Sequence, residues 1–244
     1  MTDRKERLEA TGLVKIYKGK KVVNSIDITL NRQEIVGLLG PNGAGKTTTF
    51  YMISGLAHPD EGKVFLDGKD ISEDPMYIRA RKGINYLPQE PSIFRKLTVE
   101  ENLLAIMEGT DIPSYEIKDR LKSLLAALNI SHLAKQRASS LSGGERRRLE
   151  ITRALVTGPR FMLLDEPFAG IDPLILNDIK QIIGQLKKKG IGIIISDHNV
   201  RDTLEVCDSA YIINQGEIIE HGTPDKIVSS EIARSVYLGE NFNM

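Results

Sequence analysis

The sequence predicts an α/β fold: a buried parallel sheet with helices around it, a helical insertion and an antiparallel flank. Three observations predict it. Short continuous apolar runs at Ile35–Leu39, 161–164 and 191–195 have the texture of strands buried on both faces. Segments with helix start and stop signals lie between them. The N-terminal segment alternates around a tight turn, as antiparallel strands do.

In chain order, 8–17 and 21–30 flank Lys18-Gly19-Lys20 and read as a hairpin. Ile35–Leu39 is a buried strand, followed by a glycine-rich loop and a helix to about Gly55. Residues 63–66 and 69–71 flank Asp67-Gly68, a second hairpin signal. From 92 to 156 the pattern turns helical. Thr98-Val-Glu-Glu101 is a capping box, and Ile117, Leu121, Leu124, Leu125 and Leu128 fall on one helical face. Strand texture returns at 161–164 and 191–196, separated by a helix with Pro173 in its first turn and Gly190 just past its end. Residues 211–214 and 217–221 read as a late hairpin around Gln215-Gly216. Residues 231–244 read as a short helix and a tail.

The 244 residues are 41% apolar and 27% charged, the balance of a globular chain long enough to bury a sizeable core. Lys plus Arg and Asp plus Glu both total 33, so there is no global basic field for nucleic acid or an anionic membrane. The one cysteine, Cys207, excludes an intramolecular disulfide and a cysteine-based zinc site, and reads as a small buried hydrophobe. His58, His132 and His221 are scattered and make no metal-binding pattern. The N-terminal MTDRKERLEATG lacks the apolar stretch of a secretory signal. The most apolar runs span about five residues where a membrane helix needs about 20. An intracellular chain is expected, held at a membrane only through a partner.

The chemistry starts at Gly40-Pro41-Asn42-Gly43-Ala44-Gly45-Lys46-Thr47, which fits G-x-x-x-x-G-K-[ST] between a strand and a helix. Backbone N–H groups and the positive end of the following helix cradle phosphate oxygens there. Lys46 is expected to reach the β- and γ-phosphates, and the Thr47 hydroxyl to bind Mg²⁺. The run Phe161-Met-Leu-Leu then delivers Asp165 and Glu166 at the C-terminal end of a strand, where α/β sheets bind ligands. Asp165 is expected to hold Mg²⁺ through water, and Glu166 to act as general base toward the attacking water of a γ-phosphoryl transfer. Gln89 and His198 follow further strand segments. Taken alone, Gln89 reads as a solvated loop residue and His198 as a helix-start or packing residue; with the phosphate site located, both become candidates.

Leu141-Ser142-Gly143-Gly144-Glu145 opens an Arg-rich helix. Ser142 and Glu145 make a capping box around two small residues, which is either a second anion site or a well-capped helix and nothing more. Arg146, Arg147 and Arg148 read as a solvated helix face, and Lys187, Lys188 and Lys189 as cations suited to a helix C-terminus.

With these elements in this order, the chain resembles the ATP-binding-cassette ATPases along essentially its whole length. The resemblance implies one cassette domain over 1–244. It would have a RecA-like P-loop NTPase core, an antiparallel β sub-domain, a helical sub-domain inserted at about 92–156, and a tail at about 231–244. It implies ATP bound by Tyr17, stacked on adenine, and by the loop from Gly40 through Thr48, with Mg²⁺ touched by Gln89 as well as Thr47 and Asp165. It implies head-to-tail closure of two copies, so that Leu141, Ser142, Gly143, Gly144 and Glu145 of one cap the ATP of the other. His198 would then contact the γ-phosphate and Asp172 would lie in a dimer-contact loop. Where many cassettes have Ser in that loop, this chain has Ala169.

Longer stretches narrow the resemblance. Tyr86-Leu-Pro-Gln-Glu-Pro-Ser-Ile-Phe-Arg-Lys-Leu-Thr, Ser196-Asp-His-Asn-Val-Arg and the tail Tyr237-Leu-Gly-Glu-Asn-Phe are similar to ATPase subunits of lipopolysaccharide exporters. Branched-chain amino-acid importer ATPases share parts of this text. Soluble cassette ATPases of repair carry long coiled coils and those of translation carry two cassettes; neither feature is present. The resemblance implies a homodimer bound to integral membrane subunits, peripheral on the cytoplasmic face of a bacterial inner membrane, with no nucleic acid and no direct contact with cargo. Residues 89–97 are the expected docking surface, with Phe94 as apolar anchor and Arg95 as charge. The alternative is that Phe94 packs the sub-domain interface.

Overall fold

Strands β1 (Arg7–Tyr17) and β2 (Lys20–Asn31) reverse at Lys18 and Gly19, whose φ angles of 50° and 78° suit a tight hairpin. The computed structural model describes residues 6–239 and 242. After the hairpin come β3 (Ile35–Leu39) and helix α1 (Lys46–Ser54), then β4 (Glu61–Leu66) and β5 (Lys69–Asp70), turned at Asp67-Gly68. Helix α2 (Met76–Arg81) leads into β6 (Ile84–Leu87), and helices α3 (Val99–Met107), α4 (Ser114–Ala127) and α5 (Gly143–Leu155) follow. The chain then runs β7 (Phe161–Asp165), α6 (Pro173–Lys188), β8 (Gly192–Ser196), α7 (Val200–Val206), β9 (Ser209–Asn214) and β10 (Glu217–Gly222). Short helices α8 (Pro224–Ser229) and α9 (Glu231–Ala233) end in a π-type turn at Arg234–Leu238. Glu240 and Asn241 of the tail motif lie outside the described residues.

Two sheets form. One is antiparallel, in the order β2-β1-β4-β5; the other runs β10-β9-β3-β8-β7-β6, parallel from β9 to β6 with β10 antiparallel at its edge. Strands β3, β7 and β8 are buried at every position, which explains their unbroken apolar text. Leu13 and Ile26 of the antiparallel sheet meet Leu38, Phe50 and Leu163 in one core. On another side of the parallel sheet, Ile179, Ile183 and Leu186 of α6 pack on Met162 and Ile193.

The helical insertion has its own core of Val99, Leu103, Met107, Leu125, Leu149 and Val156. Leu125 and Leu128 of the expected α4 face are buried, and Ile117, Leu121 and Leu124 are partly covered. Both predicted capping boxes form: Glu101 N donates to Thr98 Oγ1 at 3.2 Å, and Thr98 N donates to Glu101 Oε2 at 2.7 Å, with the same pattern at Ser142 and Glu145. No described helix is long and apolar enough to cross a membrane.

Parallel strands share a direction, so the loops after β3, β8, β7 and β6 all leave the same edge of the sheet. These four strands are consecutive neighbours. The topology therefore gathers Gly40–Thr47, Ser196–His198, Asp165–Glu166 and Gln89 on one rim, although they are far apart in sequence.

Candidate functional site

The loop after β3 is built from backbone. Gly45 is the N-cap of α1 with φ 111° and supplies no side-chain cap, so the first-turn N–H groups of the helix receive no acceptor from it. Gly40 has φ 153°, and a Cβ there would lie 2.1 Å from the carbonyl oxygen of Ile213, so only glycine fits the strand exit. Lys46 folds over the loop and donates to Gly40 O at 2.7 Å and Pro41 O at 3.0 Å. Burial lowers its pKa, opposed by the charges of Glu166, Asp165 and Asp197. Thr47 is exposed at the same helix start, Thr48 is half-buried, and Pro41 to Ala44 form the loop wall.

The carboxylates come from the neighbouring strand ends. Asp165 is buried, and burial raises its pKa, with the Tyr86 hydroxyl donating to Oδ2 at 3.1 Å in opposition. Glu166 adopts φ 45°, a costly angle for a non-glycine residue, and its N–H donates to Ser196 O at 2.6 Å. Gln89 Nε2 donates to Glu166 Oε2 at 2.8 Å, and His198 Nδ1 lies 3.4 Å from the same oxygen. Three of the residues singled out in the sequence thus meet at one atom.

Sequence reading passed over Asp197. It is fully buried, accepts the N–H groups of Phe168 and Asn199 at 2.9 Å each, and lies 3.5 Å from His198 Nδ1. Burial raises its pKa. It ties the loop after β7 to the loop after β8. The only signal for it was its place beside His198 at a strand end.

Among the described residues, the charges of Glu166, Asp165 and Asp197 all act on the Lys46 ammonium. A divalent cation would relieve this negative excess. Among the described residues no three or more His, Cys, Asp or Glu side chains could hold a metal by themselves. Magnesium is commonly held by one or two carboxylates plus substrate phosphates, and the hard oxygen donors Asp165, Thr47 and Gln89 fit that mode.

The helix start at α5 divides its residues by role. Leu141 is buried, Ser142 and Gly143 are exposed, and Glu145 closes the capping box with its pKa lowered by the hydrogen bonds from Ser142. A Cβ at Gly143 would meet nothing, whereas one at Gly144 would lie 2.3 Å from Ile175 Cγ2 on α6. Glycine at 144 is therefore required by packing within the chain. Gly144→Ala is expected to destabilise the fold by about 1–3 kcal/mol through overpacking, and Gly143→Ala to leave stability level or slightly raised. Urea unfolding of the two variants checks this; equal stabilities would show that α6 yields freely.

The basic run is not the solvated face that its composition predicts. Arg147 is buried and pairs with Glu150 at 3.0 Å, while Arg148 pairs with Asp178 at 2.5 Å. Arg147 also reaches toward Pro88 O and Asp165 O at 3.4 Å each, and Glu150 accepts from Ser92 N at 3.3 Å. The interior of the insertion consequently touches both the Gln89 loop and the end of β7. Lys187 pairs with Asp208, and His221 stacks on Tyr211 at 4.0 Å. Cys207 is buried, as its neighbours predicted, and burial pushes its thiol pKa up.

Tyr17, at the end of β1, is 47% exposed with Lys15 Nζ 5.6 Å from its ring. Asp172 is exposed ahead of α6. Phe94 is 44% exposed and stands outside the insertion core, its ring 4.5 Å from the Arg153 guanidinium; Arg95 beside it is exposed. Nearby, Met76, Tyr86, Ser92, Ile106 and Arg153 line an open cleft of about 210 Å³.

The sequence profile of the ABC transporter family matches residues 23–169. Over 238 residues the chain is 54% identical to the lipopolysaccharide export system ATP-binding protein LptB of Haemophilus influenzae and 53% identical to the protein of that name in Escherichia coli K12. Each alignment covers 97% of this chain and 99% of the relative. Among solved structures, MJ1267, an ATP-binding cassette of an ABC transporter in its ADP conformation, superposes with a TM-score of 0.87 at 30% identity, covering 96% of this chain and 99% of that one.

Proposed function

Because the chain belongs to the ABC transporter family and matches its ATP-binding proteins from end to end, we propose that it is the ATP-hydrolysing motor subunit of a lipopolysaccharide exporter. The observation that carries the cargo class is this near-complete overlap with relatives named for lipopolysaccharide export. The cassette architecture carries the chemistry.

Hydrolysis of the γ-phosphoryl group requires a positioned water, a base and compensation of charge. Lys46 supplies a fixed positive charge for the β- and γ-phosphates, and the open N–H groups of α1 add their partial charges. Tyr17 offers an exposed ring face to adenine. Thr47, Asp165 through a water, and Gln89 would hold Mg²⁺, which when bound neutralises charge on the phosphate oxygens. Glu166 takes the proton of the attacking water. Gln89 and His198 fix its carboxylate from two sides, and His198 faces the γ-phosphate.

Half of the pocket comes from a second copy. Ser142 and Gly143 present an exposed, uncrowded helix start that suits an anion brought by a partner, with Leu141, Gly144 and Glu145 holding it in shape. Two chains closing head to tail would place it over the partner's triphosphate, with Asp172 in the contact loop. Closure then moves the membrane subunits, docked at residues 89–97, from the cytoplasmic face of the bacterial inner membrane.

The test is to isolate the protein from its native membrane and identify what accompanies it. Integral membrane subunits of an exporter should co-purify, and the complex should hydrolyse ATP with magnesium. A protein recovered alone, or with importer subunits, would overturn the export reading. Phe94→Ala should weaken this assembly by about 2 kcal/mol or more, as expected of an aromatic anchor. Because Phe94 stands outside the insertion core, its melting temperature should stay near that of the parent. A lower melting temperature with assembly intact would instead make Phe94 a packing residue.

A further inference from the structure

Strands β6 and β7 run parallel in the register Tyr86 with Leu163 and Leu87 with Leu164, one step from Asp165. The Tyr86 ring meets the helix that follows the phosphate loop. It stands edge-on to Tyr51 of α1 with centroids 6.0 Å apart and to Phe50 at 6.4 Å, both at 89°. Edge-to-face packing of this kind fixes a ring's orientation. At its tip the hydroxyl donates to Asp165 Oδ2 at 3.1 Å.

A carboxylate that serves a metal through water has two equivalent oxygens and a rotatable plane. A donor held in place by aromatic packing commits one oxygen to the protein and leaves the other as the acceptor. We propose that Tyr86 is a positioning residue for magnesium-nucleotide binding, acting through Asp165 by this hydrogen bond. The proposal rests on the assignment of Asp165 to the magnesium side of the ATP site. It goes beyond that assignment by naming the residue that orients the carboxylate, and by coupling it to α1, which carries Lys46 and Thr47 at its other end. The physical basis is general: hydrogen-bond partners of metal-binding carboxylates fix their orientation, and losing one weakens metal binding.

The test uses the full-length protein and a fluorescent, non-hydrolysable ATP analogue, titrated in EDTA and at a series of MgCl₂ concentrations. Tyr86→Phe keeps the ring and removes only the hydroxyl. Its affinity in EDTA should match the parent, while the MgCl₂ concentration at half of the metal-dependent gain should rise about 10- to 100-fold. An unchanged magnesium midpoint would overturn the proposal. So would an equal loss in EDTA and in magnesium, which would mean that the hydroxyl supports the shape of the nucleotide site and not its metal. As a second measurement, Tyr86→Phe added to Asp165→Asn should cause no further loss of magnesium dependence; an additive loss would show that the hydroxyl acts elsewhere. If the parent protein binds the analogue with no response to magnesium, the ATPase reading itself fails, an outcome distinct from a failure confined to the variant.

Discussion

Glu166→Gln is expected to stop ATP turnover, lowering kcat by about 10²- to 10⁴-fold, the contribution of a positioned general base, while nucleotide binding survives. The geometry makes this substitution clean. Glutamine has the shape of glutamate, so the strained φ of 45° and the 2.6 Å bond from its N–H to Ser196 O should persist. Gln89, now 2.8 Å from a carboxylate oxygen, can still donate to an amide oxygen, in a neutral bond weaker than the charge-assisted one. The lost property is the ability to accept a proton. Removing one negative charge beside Asp165 and Asp197 also eases the approach of a polyanion, so nucleotide affinity should hold or rise. Phosphate release with magnesium and ATP, nucleotide titration and size-exclusion chromatography check the three parts. The variant should bind ATP and accumulate as a dimer. Turnover within a few-fold of the parent would mean that another group takes the proton.

What could be read in the sequence was whatever a few adjacent residues encode. Five buried residues in a row at β3, the Asp67-Gly68 turn with φ 53° and 77°, and the capping boxes at Thr98 and Ser142 carry their own signals. The phosphate loop is legible for the same reason: its function is local backbone shape. Residues whose role depends on distant neighbours were not legible. Arg147 looked like a surface cation because nothing near it in sequence shows that Pro88 O and Asp165 O converge there. Tyr86 alternates like any strand residue until β7 is placed beside it. Helix α2 spans six residues between Pro75 and Lys82, too short for an apolar period to declare itself.

That same short helix carries the substitution with the largest expected effect on stability. Arg79 is fully buried, and its guanidinium bonds to four carbonyls: Met52 O at 2.7 Å and Ile53 O, Ser72 O and Asp74 O at 2.8 Å. Met52 and Ile53 are in the last turn of α1, where carbonyls have no intrahelical partner. Arg79 therefore caps the end of the helix whose start holds Lys46. Burying a guanidinium costs several kcal/mol, and burial does push its pKa down, although arginine stays charged. Four charge-assisted hydrogen bonds more than offset this: the net contribution of such a bond, desolvation included, is about 1.5–3 kcal/mol. Arg79→Ala removes the donors, orphans four carbonyls and leaves a cavity, while relieving the desolvation. The net loss should be about 3–5 kcal/mol, a drop in melting temperature on the order of 10 °C for a chain of this size. Arg79→Lys retains the charge but lacks the planar fork, so it should recover only part of that loss. Thermal melts of the two variants give the answer. If Arg79→Ala melts within about 2 °C of the parent, then water satisfies those carbonyls as well as the guanidinium does, and α1 is anchored by its apolar face alone.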